Sequence, residues 1–395
     1  MAALDKILTV DEMKTAARRR VPKMFFEYAD TGSYTESTYR ENESDFGKIK
    51  LRQKVAVNLE GRNLKSTMLG KPVTMPVAIA PAATGGMQIA DGEIKAARAA
   101  EKYGIPFTLS TMSVCSIEDI AENTTAPFWF QLYVMRDRAF IERLIDRAKA
   151  AKVSALVLTM DLQILGQRHK DIHNGLSTPP KFDAYSVWQM IQHPLWCLQM
   201  LQTKRHSFRN IVGHVDGRGH DLASLSEWTA SQFDPTLNWA DVKWVKERFG
   251  GPVIVKGVLD PDDAIAAVDN GADAVIVSNH GGRQLDGAPS TIRVLPEIID
   301  AIGHRTEVFL DSGIRSGQDV LKALAYGAKG TFIGRPMLYG LGAGGEAGVT
   351  RVLDIIAKEL DITMALCGER DILNVGLHNI YSNDLPPRNA PATNR

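Results

Sequence analysis

From Val77 onward the chain alternates short apolar runs, rich in β-branched residues, with longer stretches whose apolar positions recur every three or four residues. A brief unbroken apolar run bounded by polar residues is how a strand buried on both faces reads, and the three-to-four spacing marks a helix with one face in a core. Strands are therefore expected at 77–80, 107–110, 128–132, 155–159, 253–256, 274–278, 307–310 and 330–333. Helical patterns follow most of them, at 92–102, 138–149, 261–270, 292–302, 317–326 and 349–360. Such alternation implies parallel strands joined by crossover helices. Eight units suit a closed (β/α)8 TIM barrel, of α/β class. A doubly wound sheet is the other arrangement open, although Ala80-Pro81-Ala82-Ala83 is not its usual Gly-rich first turn.

The flanks and one interval break this rhythm. Residues 1–75 read as a helical preface to a barrel over 76–365, and 386–395, with Pro386, Pro387 and Pro391, as a loose tail. Between Arg168 and Val253 the chain is too long for one crossover, so an insertion or lid is expected after the fourth strand, at 176–235. It carries Trp188, Met190, Ile191, Trp196, Leu198, Met200 and Leu201, followed by Lys204, Arg205, His206 and Arg209. An apolar stripe beside a basic cluster suits the surface of a membrane, and it equally suits an ordinary helix packed on the barrel with a solvated basic end.

Composition narrows the partners. The 46 basic and 46 acidic residues balance to a formal net charge of +0, so no overall field draws in nucleic acid. Hydrophobic content of 44% and charged content of 23% are those of a globular chain with a sizeable core. Cys115, Cys197 and Cys367 are too few and too scattered for a disulfide framework or a metal site, which fits a reducing compartment. The first twenty residues lack the apolar core of a secretory signal, and no segment reaches the run of about eighteen apolar residues that a spanning helix needs. A cytoplasmic protein is expected, with peripheral contact at the inner face of the membrane left open.

Polar residues with chemical potential collect where strands should end, which in a barrel is one mouth. The richest is 275–291, where the apolar run Val275-Ile276-Val277 opens into Ser278-Asn279-His280-Gly281-Gly282-Arg283-Gln284-Leu285-Asp286. A histidine titrating near neutrality can take a proton, and a guanidinium can hold a carboxylate through two parallel hydrogen bonds. Base and clamp together suit a small organic acid. Tyr133 follows the third strand, Thr159 and Asp161 close the fourth with Arg168 beyond, Lys256 ends the fifth and Asp311 the seventh, and Gly334 and Arg335 follow the eighth. Asp311-Ser312-Gly313-Ile314-Arg315 with Gly334-Arg335 offers backbone N–H groups and two guanidinium groups to a phosphate.

The string 278–286 resembles the signature of the FMN-dependent L-2-hydroxy acid oxidase/dehydrogenase family, and the likeness runs from about Pro22 to Leu366. The resemblance implies one FMN-binding hydroxy acid dehydrogenase domain over 1–385 and oxidation of an L-2-hydroxy acid, L-lactate foremost, to the 2-keto acid. It implies electrons passed to a quinone or cytochrome, with O2 as the alternative acceptor, and a homotetramer. His280 is similar to the family's base, taking either the α-proton or the hydroxyl proton, with Asp161 as its partner carboxylate. Arg283 and Arg168 would clamp the substrate carboxylate, Tyr28 would add a hydroxyl, and Tyr133 would bond the substrate hydroxyl. Lys256 would sit by the pyrimidine edge of FMN. Ser110, Gln131, Thr159 and Ser278 match flavin contacts, the backbone of Pro81, Ala82 and Ala83 would face the ring, and Asp311, Ser312, Gly313, Arg315, Gly334 and Arg335 would serve the phosphate end. Met112, where glycolate oxidases of the family carry tryptophan, and Leu165 would shape the side-chain pocket. Ala83 leans toward the oxidases, whereas 108–117 and the long insertion lie closer to bacterial L-lactate dehydrogenases.

Other motifs carry less. Gly340-Leu341-Gly342-Ala343-Gly344-Gly345 fits a dinucleotide fingerprint in form, but no strand leads directly into it. His169 and His173 share a helical face without the further ligands a zinc site needs, and Cys115 has no nearby histidine to activate it. No metal is expected. Two other classes stay open: a barrel lyase using Lys256 as a Schiff base, and a flavin-binding module without turnover.

Overall fold

Strands β1 (Val77–Ile79), β2 (Thr108–Ser110), β3 (Trp129–Leu132), β4 (Ala155–Thr159), β5 (Val253–Val258), β6 (Ala274–Val277), β7 (Glu307–Leu310) and β8 (Gly330–Ile333) form one parallel sheet in the computed structural model. The model describes residues 4–176, 184–213, 228 and 231–385. Each strand from β2 to β7 pairs with its successor, and β8 pairs with β1. The ring closes through a single parallel bridge between Ile79 and Phe107, supported by the Ile79 N–H donating to the Pro106 carbonyl at 2.9 Å. This is the expected (β/α)8 barrel.

Alternation along the strands sorts side chains into two cores. Trp129, Ala155, Val157, Ile254, Ala274, Ile276, Phe309 and Phe332 form one cluster, which is the barrel interior. Their neighbours, such as Phe130, Leu156, Val255, Val275 and Leu310, join the larger cluster that packs the helices. Both faces are therefore apolar, which explains the unbroken runs in the sequence. The ring centroids of Trp129 and Phe309 each lie 5.9 Å from that of Phe332. The lower end is plugged by a hairpin, Ser66–Met68 with Lys71–Val73, whose Met68 and Val73 enter the interior cluster.

A helix follows every strand. The expected ones appear at Gly92–Tyr103, Arg138–Ala150, Pro261–Asp269, Thr291–Ile302 and Gly317–Ala325. Two more, Ile117–Asn123 and Trp239–Phe249, both begin in a capping box, formed by Ser116 with Asp119 and by Asn238 with Asp241. The last helix spans Arg335–Leu366, far longer than the expected 349–360, and kinks at Gly345, where φ is +61°. A Cβ on Gly340 would meet the Gly348 carbonyl oxygen at 2.8 Å, so the glycine-rich stretch lets the two halves pack closely. That is the structural use of the dinucleotide look-alike.

The preface supplies helices Val10–Arg18, Lys23–Ala29 and Ser37–Lys48, then a short strand, Ile49–Leu51, pairing antiparallel with Ile380–Asn383 near the other end of the chain. In the insertion, helices Ala184–Ile191 and Pro194–Gln202 dock on one side only. Trp196 is buried, stacks on Phe25 at 5.2 Å and donates to the Met87 carbonyl at 3.0 Å. Val187, Trp188, Ile191, Leu195, Leu198 and Leu201 remain exposed. The basic cluster is not simply a solvated end: Arg205 pairs with Asp91 and Asp119, and Arg209 with Asp119. Residues 177–183, 214–227 and 229–230 of the insertion, and the tail 386–395, lie outside the described residues.

Candidate active site

Moving up each strand by one inward position converts the apolar interior into a polar layer. Above Ala78, Thr108, Trp129, Val157, Ile254, Ile276, Phe309 and Phe332 stand Ala80, Ser110, Gln131, Thr159, Lys256, Ser278, Asp311 and Gly334. Half of the fourteen residues expected to hold FMN thus belong to one layer at the carboxyl end of the barrel. Ser110 donates to Gln131 Oε1 at 3.0 Å, and the Lys256 ammonium donates to Ser278 Oγ at 2.9 Å with Asp311 Oδ2 at 3.5 Å. Gln131 Nε2 and Thr159 Oγ1 are buried with no partner among the described residues. Buried polar atoms are normally satisfied, so two orphans side by side on β3 and β4 suit the polar edge of a bound heterocycle.

A cavity opens directly on this layer. Pro81, Ala82, Ala83 and Lys256 line it, with Asp311, Ser312, Gly313, Arg315, Gly334 and Arg335 at one end and Tyr28, Met112, Tyr133, Leu165, Arg168, His280 and Arg283 elsewhere on its wall. Ser110, Gln131, Thr159 and Ser278 are buried just outside the lining, and Asp161 reaches it through His280. Sequence reasoning did not find Leu162, Leu176, Phe208 or Phe233, which also line the cavity. Phe208 and Phe233 arrive from the insertion, and Phe233 sets its ring edge-on to Tyr133 at 5.9 Å. Nothing in their local sequence announces this.

His280 sits where the chain leaves β6. It has φ +57°, and Gly281 and Gly282 follow at +69° and +73°. Three successive left-handed residues make a turn that β-carbons resist, hence the glycine pair. The turn is pinned by the His280 N–H donating to Ser278 Oγ at 3.1 Å and the Gly281 N–H to Ser312 Oγ at 2.9 Å. His280 Nδ1 lies 2.9 Å from Asp161 Oδ1, which leaves Nε2 for a ligand. About a fifth of the His280 side chain (21%) stays open to the cleft. Asp161 comes close because β5 slips register at Gly257, where any Cβ would meet Asp161 Cγ at 2.7 Å.

The charges follow from this burial. Burial lowers the His280 pKa, and the nearby Lys256 and Arg283 cations add to that against the pull of Asp161, so the fold favours the neutral ring. Burial alone would raise the Asp161 pKa, but His280 and Lys256 hold the carboxyl below its usual value. Lys256 is desolvated too, yet Asp311 and Asp161 keep it protonated and its pKa above the ordinary one. A Schiff-base lysine needs the reverse, a depressed pKa, which removes the main support for a lyase.

Two guanidinium groups flank one phenol. Arg283 lies 4.9 Å and Arg168 5.6 Å from the Tyr28 ring centroid. Arg283 donates to the Tyr28 carbonyl at 2.7 Å, and Arg168 Nε to Asp171 Oδ2 at 2.5 Å. Asp171, which the sequence did not single out, thereby orients the second guanidinium. Burial and the neighbouring Arg168 push the Arg283 pKa down to about 10, as expected of cations crowded together. Burial, with Asp161 next in effect, pushes the Tyr133 phenol well up, so it is a neutral donor. At the far end Arg335 donates to the carbonyls of Ala29, Thr31 and Gly281, and Arg315 to Glu43 at 2.6 Å. An anion there meets two cations already held in place.

The model of FMN-dependent dehydrogenases matches residues 17–382. This chain belongs to the FMN-dependent dehydrogenase family. It is 46% identical over 372 residues to an L-lactate dehydrogenase of Stenotrophomonas maltophilia, covering 94% of this chain and 98% of the relative. It is 44% identical over 370 residues to the L-lactate dehydrogenase of Caulobacter vibrioides, with 93% and 96% covered. Among solved structures, the monotopic membrane protein (S)-mandelate dehydrogenase superposes with a TM-score of 0.91 at 34% identity, covering 96% of this chain and all of that one. A mandelate oxidase variant with (S)-mandelic acid gives 0.80 at 31%, with 95% and 98% covered. As an FMN-dependent dehydrogenase, the protein has in its orphaned Gln131 and Thr159 atoms, the Lys256 ammonium and the Arg315–Arg335 end a donor set that fits FMN, ring and phosphate.

Among the described residues no group of His, Cys, Asp and Glu side chains could hold a metal ion, and His169 and His173 occupy only a short helix, His169–His173. No helix of the described residues is long and apolar enough to cross a membrane.

Proposed function

We propose that this dehydrogenase oxidises an L-2-hydroxy acid, L-lactate foremost, to the 2-keto acid. The observation that carries the reading is an imidazole, fixed by Asp161 at 2.9 Å, opening into the same cavity as two guanidinium groups that share one phenol ring. The reaction removes two electrons and two protons from the hydroxy-bearing carbon and its oxygen. FMN, held by the polar layer and by Arg315 and Arg335, supplies the two-electron acceptor. Arg283 and Arg168 bind the carboxylate end bidentately, which an ammonium could not do. Tyr133 donates to the substrate hydroxyl, and Tyr28 offers a second phenol beside the carboxylate. His280 accepts a proton at Nε2 and becomes an imidazolium, which the Asp161 carboxylate stabilises. Met112 and Leu165 leave an apolar, adaptable recess for a methyl or larger side chain.

The acceptor belongs to the same proposal: electrons pass to a quinone or cytochrome, with O2 disfavoured by the L-lactate dehydrogenase names of the relatives. The exposed face of Val187, Trp188, Ile191, Leu195, Leu198 and Leu201 supports peripheral contact with a membrane, where a quinone would be met. A panel of hydroxy acids assayed in parallel against dichlorophenolindophenol and oxygen tests this. L-lactate is expected to bleach the flavin anaerobically and to turn over faster with the dye than with oxygen. Retained flavin without turnover of any hydroxy acid would overturn the reading.

A further inference from the structure

Behind the wall of the substrate cavity lies a second one, which the dehydrogenase chemistry leaves unused. It forms where the end of helix Val10–Arg18, the start of helix Pro194–Gln202 and the glycine-rich part of helix Arg335–Leu366 meet. Arg19, Arg20, Gln192, His193 and Gln199 give it a polar lining, with no Asp or Glu among the lining residues. Arg19 has no side-chain partner among the described residues, and Arg20 donates to the Ala343 carbonyl. Neither guanidinium is paired with a carboxylate there. In a chain of zero formal net charge this is a local cationic excess. Leu195, which also lines the cavity, is 68% exposed and starts a ridge continued by Leu198 at 56% and Leu201 at 80%. Residues three apart are neighbours on a helix surface, so the ridge begins at the cationic cavity and leads away from it along the helix.

An anionic head beside two aliphatic tails is the chemistry complementary to a cationic recess at the foot of an aliphatic ridge. We propose that this cavity seats the phosphate headgroup of an anionic membrane lipid, with the acyl chains along Leu195, Leu198 and Leu201. The inference rests on the peripheral membrane contact proposed above and adds lipid selectivity to it. It also joins N-terminal and insertion residues into one membrane-facing unit. That unit is one side-chain layer from the substrate cavity: Trp196 lines the lipid site and stacks on Phe25, which lines the other.

The test is vesicle co-sedimentation of the FMN-loaded protein, using phosphatidylcholine alone and an equal mixture of phosphatidylcholine and phosphatidylglycerol. The unaltered protein is expected to bind both, and the mixture more tightly. Arg19→Gln should weaken binding to the mixture roughly fivefold, and Arg19→Gln with Arg20→Gln about 25-fold, with binding to phosphatidylcholine retained. Leu195→Gln with Leu198→Gln should lower binding to both. Turnover of L-lactate with a soluble dye and the thermal midpoint should hold in Arg19→Gln, which makes no bond to lose. A phosphatidylglycerol preference that survives both arginine substitutions overturns the headgroup site and leaves the membrane contact standing. An unaltered protein that binds neither vesicle overturns both. If Arg19→Gln instead raises the KM for a short-chain quinone with vesicle binding unchanged, the cavity serves a neutral acceptor and the lipid assignment falls.

Discussion

The two ends of this barrel use the same eight strands to opposite purpose. Below the mouth, Trp129, Phe309 and Phe332 fill the interior, the last also reaching the floor of the cavity, and Met68 and Val73 of a hairpin plug the lower end. Two residues further along, β7 passes from Phe309 to Asp311 and β3 from Trp129 to Gln131, and the same inward direction now presents charges and unpartnered polar atoms. Stability is concentrated below and chemistry above, and the change occurs within a single layer. The lower end is packed almost wholly with apolar side chains, Thr108 Oγ1 being its one unpartnered polar atom among the described inward residues. The upper end keeps Gln131 Nε2, Thr159 Oγ1 and Asp161 Oδ2 unsatisfied, with cations crowded around Tyr28, and these features make sense only when cofactor and substrate complete it.

Substitutions at matched depths should separate the two ends. Asp161→Asn removes the carboxylate that fixes and stabilises the His280 ring; kcat/KM for L-lactate is expected to fall on the order of 10³-fold with FMN retained. Steady-state kinetics alongside flavin absorbance checks this, and a loss of flavin instead would mean that Asp161 builds the cofactor site. Phe309→Ala, one layer below Asp311 in the apolar interior, should cost about 3–5 kcal/mol of stability in denaturant unfolding. Its kcat in the folded enzyme should stay close to normal. Arg283→Lys keeps charge but loses the planar fork, and about 2 kcal/mol of transition-state binding, roughly thirtyfold in kcat/KM, should go with it. Equal kcat/KM in that variant would remove the clamp.

The smallest effect expected is on pH dependence. Because the His280 pKa is lowered in the fold, the free base persists below the ordinary histidine value of about 6.5, and kcat/KM should decline only as pH falls through the depressed value. The stability sign follows from the same shift. Below about pH 6.5 the unfolded chain takes up a proton that the folded ring resists, so stability drops as the pH falls, and His280→Gln should flatten that slope.

The barrel was legible because its strands are buried on both faces and so read as unbroken apolar runs. Helix Ile117–Asn123 escaped the periodic pattern by being short, although the Ser116 and Asp119 capping box was there to be read. The hairpin at 66–73 left little signal, since its value lies in where Met68 and Val73 point rather than in any alternation. At the site, the residues at strand ends were legible because a barrel gathers them at one mouth. Phe208, Phe233 and Asp171 were not, because the first two reach the cavity only through the folding of the insertion and the third acts through Arg168.

Anaerobic rapid mixing of FMN-loaded His280→Ala with L-lactate tests the central claim most directly. The flavin should remain bound and yellow, and its bleaching should slow by about 10³-fold or more relative to the unaltered enzyme. Bleaching at the normal rate would show that the imidazole over the cavity is not the proton acceptor, and the account of the site would fail.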